Sequence, residues 1–429
     1  MAGSFWIETL GCPKNQVDSD KLVGTMLADG LVPADSPEGA DVVVVNTCAF
    51  VEEARQESID TILTLDGSRA PGARLVVTGC MAERYGDELA EALPEVDSVA
   101  GFGVPVTLSA KPSKGGAAPV PSLDLLNLPR PASTSPWAYV KVAEGCDRAC
   151  GFCAIPSFRG KQRSRTIADI LDEVDALQAH EIVLVAQDLA AFGRDQGVGE
   201  RAIVPLVEAV AARVERVRLL YLYPSDLTDP LIDAILASGV PYFDLSLQHV
   251  SAPLLRRMKR WGDGARFLER MDAIRAREPG AAFRSNFIVG YPGETEDDHD
   301  QLLAFVDQAR LDWCGFFAFS KEDGTYAADL DGQVPEGLMH ERLAELRELQ
   351  DRITAARRDE LIGSVVEVLV DAPGQGRTYR EAPEIDGIVT IPDDLPVGAL
   401  VEVRVVDALG PDLVAEALAP APAPAGAGS

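Results

Sequence analysis

The chain's seven cysteines sort by spacing into three kinds. Three are bunched in the run Glu144-Gly145-Cys146-Asp147-Arg148-Ala149-Cys150-Gly151-Phe152-Cys153, a CxxxCxxC pattern. Thiolates are soft ligands for iron, and four of them close a 4Fe–4S cluster. Three on one loop leave one iron with an open coordination position, where chemistry can occur as it does at a three-ligand catalytic zinc. A zinc knuckle is the competing reading. Zinc would need a fourth Cys or His close by, and no histidine lies between Cys146 and His180.

Cys12, Cys48 and Cys80 share no short spacing, but each follows an apolar run: Phe5–Leu10, Val42–Val45 and Leu75–Val77. In an open parallel sheet the carboxyl ends of the strands line one edge, where ligands bind. Three thiols at three such ends would converge on a second site. Any one alone reads as a buried core thiol. Three in the same register point to a second iron–sulfur cluster with one open iron. Two open clusters in one chain would offer two separate places for chemistry. Cys314 lies in an apolar strand without a partner in the pattern and reads as a core thiol.

The elements around these residues define an α/β protein of three parts. Residues 1–104 alternate apolar runs with helical periodicity at Asp18–Ala28, Glu52–Leu65 and Ala82–Leu93, as an open parallel α/β domain requires. A proline-rich linker spans 105–136. Over 137–360 the alternation restarts. Strands are expected at Tyr139–Val142, Ile182–Ala186, Val217–Leu222, Phe243–Leu247, Phe283–Val289 and Cys314–Phe319, with helices between them. Six such units make a partial (β/α) barrel, and Leu338–Leu361 reads as a charged helix leading out of it. Residues 361–418 are a small all-β barrel of about five strands, followed by a low-complexity tail, 419–429.

The 47% hydrophobic and 25% charged content is that of a soluble globular protein. No apolar run is long enough to span a bilayer, and Met1–Leu10 lacks the features of a signal peptide. The expected location is the cytoplasm, where thiols stay reduced and bind metal rather than pair as disulfides. A formal net charge of −29 repels polyanions and favours basic partners.

A CxxxCxxC run directly after a first barrel strand resembles the signature of the radical S-adenosylmethionine superfamily. The resemblance implies that S-adenosylmethionine chelates the open iron. It also implies that Gly290, in Phe287-Ile288-Val289-Gly290-Tyr291-Pro292-Gly293-Glu294, lies beside the adenosine, and that Phe152 packs near the adenine. From Phe5 to Leu418 the chain is similar to the methylthiotransferase family, with a cluster domain, a radical domain (the radical-SAM barrel) and a TRAM-type barrel. That family places 4Fe–4S clusters on Cys12, Cys48 and Cys80 and on Cys146, Cys150 and Cys153. It uses two S-adenosylmethionines and an external electron donor.

Some family members modify a tRNA adenosine, and others an aspartate β-carbon on small-subunit ribosomal protein twelve. Gly11-Cys12-Pro13-Lys14-Asn15, Asn46-Thr47-Cys48-Ala49-Phe50, Cys153-Ala154-Ile155-Pro156-Ser157-Phe158-Arg159-Gly160 and Leu247-Gln248-His249 look like the second branch. Ser246 and Lys321 stand where that branch usually carries Pro. The resemblance thus implies a basic ribosomal protein as substrate; the lack of a long apolar run implies no membrane, and the charge of the last module argues against direct nucleic-acid binding. Eleven acidic residues against three basic ones in 361–429 agree. Gln248 and His249 are candidate substrate or cofactor contacts, with structural hydrogen bonding as the alternative; Gln187 and Asp188 are read likewise. The basic stretch Arg159, Lys161, Arg163 and Arg165 could reach a cofactor carboxylate or the substrate aspartate, but reads first as a solvated face.

Overall fold

Four consecutive valines, Val42–Val45, are β-branched and set the centre of the first sheet, because only a strand covered on both faces can bury all four. The computed structural model describes residues 3–106, 124–197 and 202–418. The expected linker lies partly outside these residues, and the expected tail wholly outside them. The cluster domain runs β1 (Ser4–Thr9), α1 (Pro13–Ala28), β2 (Val32–Pro33), β3 (Val42–Thr47), α2 (Glu52–Ser68), β4 (Arg74–Gly79), α3 (Cys80–Ala92) and β5 (Ser98–Ala100). Its sheet has the order β2-β1-β3-β4-β5 and is parallel throughout.

Helix α1 begins at Pro13, five residues before the expected Asp18. Cys12 is its N-cap, and Pro13 at the first position suits a helix start, where a missing N–H costs nothing. Apart from Val17, the buried residues of its first turns are polar (Asn15, Asp18, Ser19, Lys21). An apolar period therefore cannot reveal it.

The second part contains β6 (Trp137–Lys141), the hairpin β7 (Ala143–Glu144) and β8 (Arg163–Ser164) with α4 (Ile155–Arg159) between them, and α5 (Ile167–Leu177). It continues through β9 (Glu181–Val185), α6 (Ile203–Ala211), β10 (Arg216–Leu219), α7 (Asp229–Ala237), β11 (Tyr242–Gln248), α8 (Ala252–Arg257) and α9 (Gly264–Arg277). It closes with β12 (Ala282–Val289), α10 (Glu296–Ala309), β13 (Trp313–Ala318) and the long α11 (Glu336–Asp359). The strands form two parallel sheets, β10-β9-β6 and β11-β12-β13. A Leu222–Leu245 bridge joins them into an open six-stranded barrel. Strand β10 stops short of the expected Leu222 because Tyr221 takes a positive φ of 64°.

Alternate strand residues serve two cores. Val140, Leu184, Leu219, Phe243, Phe283 and Val289 pack under the helices. On the other face, Tyr139, Val183, Tyr242 and Trp313 pack with Val17 of α1 and Ala382 of the third part.

That third part is a closed barrel, ordered β14 (Val365–Ala372), β15 (Gln375–Arg377), β16 (Val389–Thr390), β18 (Asp412–Ala417), β17 (Leu400–Leu409). Its 377–386 segment docks on the larger barrel. Tyr139 Oη donates to Pro383 O at 2.8 Å, Tyr242 Oη to Asp386 Oδ2 at 2.6 Å and Trp313 Nε1 to Arg380 O at 2.6 Å. Buried Glu181 takes Arg218 at 2.7 Å and Arg377 at 3.0 Å, and Arg358 meets Glu381 at 2.5 Å. Burial would raise the Glu181 carboxyl, but Arg218, Arg377 and Arg216 bring it down to about 2.

Candidate functional site

Cys12, Cys48 and Cys80 stand at the carboxyl ends of β1, β3 and β4, on the turns into helices. Two glycines let these turns close on one another. Gly11 has φ +91°, and a Cβ there would lie 2.8 Å from Cys48 Cβ and 3.0 Å from Cys48 Sγ. Gly79 has φ +90°, and its Cβ would lie 2.6 Å from both Thr47 N and Thr47 O. The glycines preceding Cys12 and Cys80 therefore bring both turns against the Cys48 strand end.

Asn15 holds the arrangement. Its Nδ2 donates to Leu10 O and to Thr47 O, both at 3.0 Å, and its Oδ1 lies 3.6 Å from Cys80 Sγ. One buried amide thus touches all three turns.

Burial pushes the Cys48 thiol up to about 12 and raises Cys80 against the opposing pull of Arg159. Burial acts the same way on Cys12, but Lys14, Arg159 and the backbone N–H groups of Asn15 and Lys14 bring it below its ordinary value. The charges of Cys12 and Cys80 both act on Cys48, as expected of thiols facing one site.

The second triplet lies on the loop between β7 and α4. Cys146 Sγ accepts from Arg148 N at 3.4 Å, and Cys150 Sγ from Arg260 Nη1 at 3.3 Å. Burial raises Cys146 to about 11 and Cys153 to about 12. Arg148 and Arg260 both stack on Tyr223, at 4.0 Å and 4.2 Å from its ring centroid. Arg148 is further tied to Asp188 at 2.5 Å and to Asp226. Gly151, between two ligand candidates, accepts from Ala327 N at 2.7 Å.

The two triplets are joined by a buried charge network. Arg159 Nη2 donates to Cys80 Sγ at 2.9 Å and to Asn15 Oδ1 at 2.8 Å, and its Nη1 donates to Glu144 Oε1 at 2.9 Å. Lys141 meets Glu144 at 2.6 Å and Asp18. Burial would raise Glu144, but Arg159 and Lys141 bring it down to about 2. A second tie runs through Glu322, 3% exposed, which takes Arg55 of α2 and Arg84 of α3 at 2.6 Å each. Arg84 also donates to Ala49 O, beside Cys48, at 3.1 Å.

The basic stretch expected to be a solvated face is not one. Lys161 and Arg163 are exposed, but Arg159 and Arg165 are buried among carboxylates and carbonyls. Two guanidiniums are drawn inside because acidic partners far apart in sequence neutralise them. Gln187 donates to Glu144 Oε1 at 2.8 Å, and Asp188 holds Arg148, so both have structural partners. His249 is fully buried. Its Nδ1 accepts from Ser251 N at 3.1 Å, while its Nε2 has no hydrogen-bond partner among the described residues. Burial lowers it to about 4, so the ring is neutral. Gln248 ends β11 with φ +70°. Phe152 packs on the main core. At Gly290, φ +83°, the backbone favours glycine, and a Cβ would also displace the end of the Met339 side chain on α11. Cys314 is raised well above its ordinary value by burial, as a core thiol is.

Asn15, Arg260 and Glu322 were not among the sequence candidates. The Asn15 signal was its place in the Cys12 motif; the other two carry none.

Each triplet offers three soft donors at one end of a parallel sheet, with cations at hydrogen-bond distance from sulfur, a donor set that suits an iron–sulfur cluster. Among the described residues no group of three His, Cys, Asp or Glu side chains forms a ready-made site for a single metal ion. The fit therefore rests on donor chemistry and on the convergence of the loops.

Three family models match the chain. Uncharacterized protein family UPF0004 covers residues 4–101, the Radical SAM superfamily 140–306 and the TRAM domain 362–418. The chain is 41% identical to ribosomal protein uS12 methylthiotransferase RimO of Cutibacterium acnes over 95% of this chain and 96% of that protein. It is 43% identical to the protein of the same name from Moorella thermoacetica, over 92% and 95%. For that of Streptomyces coelicolor the identity is 41% over 96% of each.

Proposed function

The chain belongs to the RimO family of ribosomal protein uS12 methylthiotransferases, and from that premise we propose that it replaces a β-carbon hydrogen of a uS12 aspartate with a methylthio group. The observation that carries this reading is the pair of three-thiol sites at the carboxyl ends of two parallel sheets, tied to one another through Arg159. Cys146, Cys150 and Cys153 hold one 4Fe–4S cluster and Cys12, Cys48 and Cys80 the other. When these are bound with S-adenosylmethionine and reduced by an external electron donor, they supply a hydrogen-abstracting radical and a transferable sulfur.

The chain's own residues orient this chemistry. Tyr223, between Arg148 and Arg260, holds the Cys146–Cys153 loop against the barrel. Ala327 N–H fixes the Gly151 carbonyl of the same loop. Leu245, Leu247 and Val289 are buried in the core under the helices and anchor the ends of β11 and β12.

The C-terminal barrel supports a basic partner. Of its eleven acidic residues, Glu367, Glu384, Asp393, Asp394, Glu402, Asp407 and Glu416 are exposed, against Arg404 alone among the basic ones. Such a face repels nucleic-acid phosphates and attracts a basic ribosomal protein. No helix among the described residues is long and apolar enough to cross a membrane.

The test is anaerobic incubation of the reconstituted protein with S-adenosylmethionine, a reductant and either purified uS12, small subunits or tRNA. The expected result is one methylthio group on a uS12 aspartate by peptide mass spectrometry, and unchanged tRNA nucleosides. A methylthiolated adenosine with unmodified uS12 would overturn the reading.

A further inference from the structure

Arg159 belongs to the radical domain, on the short helix α4 that follows Cys153, yet its buried guanidinium reaches residues of the cluster domain. One edge of the guanidinium faces the dispersed triplet: Nη2 reaches Cys80 Sγ at 2.9 Å and Asn15 Oδ1 at 2.8 Å. The other edge faces the residues before the bunched triplet: Nη1 reaches Glu144 Oε1 at 2.9 Å and Oε2 at 3.0 Å, and lies 3.4 Å from Asp18 Oδ2. Phe102 covers its plane at 4.3 Å. Glu144 is two residues from Cys146, Asn15 three from Cys12, and Arg159 six from Cys153.

Among the described residues, no other side chain hydrogen-bonds to a thiol of one triplet while lying on the loop segment of the other. Arginine suits this place because its planar fork carries donors on separate edges with fixed angles between them. A lysine ammonium is a point charge that cannot span both.

We propose that Arg159 is the positioning residue that sets the spacing between the two cluster sites and places a permanent positive charge beside Cys80. It touches no reacting atom. It holds the radical loop at a fixed distance from the site that supplies sulfur, and its charge favours the more negative, reduced state of the cluster on Cys12, Cys48 and Cys80. The inference rests on the two-cluster reading above. A wild-type protein holding only one cluster would defeat that reading rather than this role.

Removing Arg159 alone leaves Asp18 and Glu144 facing only Lys141, an unbalanced buried charge that would threaten folding. The test therefore compares Arg159→Gln, Arg159→Lys and Arg159→Gln combined with Glu144→Gln, with exposed Arg163→Gln as the control. Iron content, the midpoint potential of each cluster by electron paramagnetic resonance titration, and the ratio of methylthiolated product to 5′-deoxyadenosine are measured.

In the balanced double variant the product ratio should fall about tenfold or more, the range for residues that orient metal ligands. The potential of the dispersed-triplet cluster should become more negative while that of the loop cluster stays. Arg159→Lys should restore the potential but not the ratio. Loss of about four irons from the dispersed triplet alone would also support the role. An unchanged ratio with unchanged potentials, or equal loss of both clusters, would overturn it.

Discussion

The two cysteine triplets reach the same donor set by opposite means. Cys146, Cys150 and Cys153 lie on one loop, so the local chain brings their sulfurs together, and the barrel need only hold that loop through Tyr223 and Ala327. Cys12, Cys48 and Cys80 come from three strands. Their convergence depends on sheet register, on two glycines at φ near +90° and on one asparagine amide. A site built on a loop tolerates disturbance of the sheet beneath it. A site built between strands inherits every fault of register.

The largest effect should come from deleting each triplet in turn. Changing Cys146, Cys150 and Cys153 to Ala should leave about four of about eight irons and abolish 5′-deoxyadenosine formation. Changing Cys12, Cys48 and Cys80 to Ala should leave the same iron count, keep 5′-deoxyadenosine and abolish methylthio transfer. If the second variant still modified uS12 normally, the two sites would not divide the labour as described.

The next test attacks register alone. Gly79→Ala adds a methyl that meets the Asn46 side chain and lies 2.6 Å from the Thr47 backbone, where nothing can yield. It should cost about 3 kcal/mol or more in denaturant unfolding and strip iron from the dispersed site while sparing the loop site. Gly160→Ala, also at positive φ but with nothing within 4 Å, should cost only the backbone strain of about 1–3 kcal/mol and spare both. Equal iron loss in the two variants would erase the distinction.

On the loop-triplet side, His249 gives a pH-dependent effect. Its folded-state value, about 4, lies below its ordinary 6.5, so between these values the unfolded chain binds more protons and stability falls as pH falls. The size is about 3 kcal/mol, fully expressed below about pH 4. His249→Gln should flatten this part of the stability curve relative to the parent chain over pH 6.5 to 4. A parallel curve would mean that the ring is charged in the folded protein.

The smallest effect concerns the C-terminal barrel, which shares neither triplet. Neutralising Asp393, Asp394 and Glu402 to their amides should weaken uS12 binding by the full-length chain about three- to tenfold at low salt, with the difference fading as salt rises. Iron content should not move. A difference that persisted at high salt would point to direct contacts rather than long-range attraction.

Some of this arrangement is written in short stretches of chain. CxxxCxxC needs no neighbour to be read, and the strands Val42–Thr47 and Arg74–Gly79 announce themselves by apolar residues that water would penalise wherever they lay. Because cysteine follows each strand end, even the dispersed triplet could be inferred: parallel strands align their carboxyl ends, and position along the strand becomes position in space. The five-stranded closed barrel follows from short β-rich runs separated by turns.

Tertiary structure decided the polar interior. In sequence, Arg159 and Arg165 cannot be told from the exposed Arg163, because burial of a guanidinium depends on carboxylates that arrive from elsewhere, here Glu144 and Asp18 for one and Glu173 for the other. The same holds for Asn15, Glu322 and the Arg377–Glu181–Arg218 group that docks the third part on the barrel. An apolar side chain has an environmental preference of its own, and periodicity records it. A charged side chain is buried only with its partners, and across 141 residues of separation, as between Asp18 and Arg159, only the fold names them.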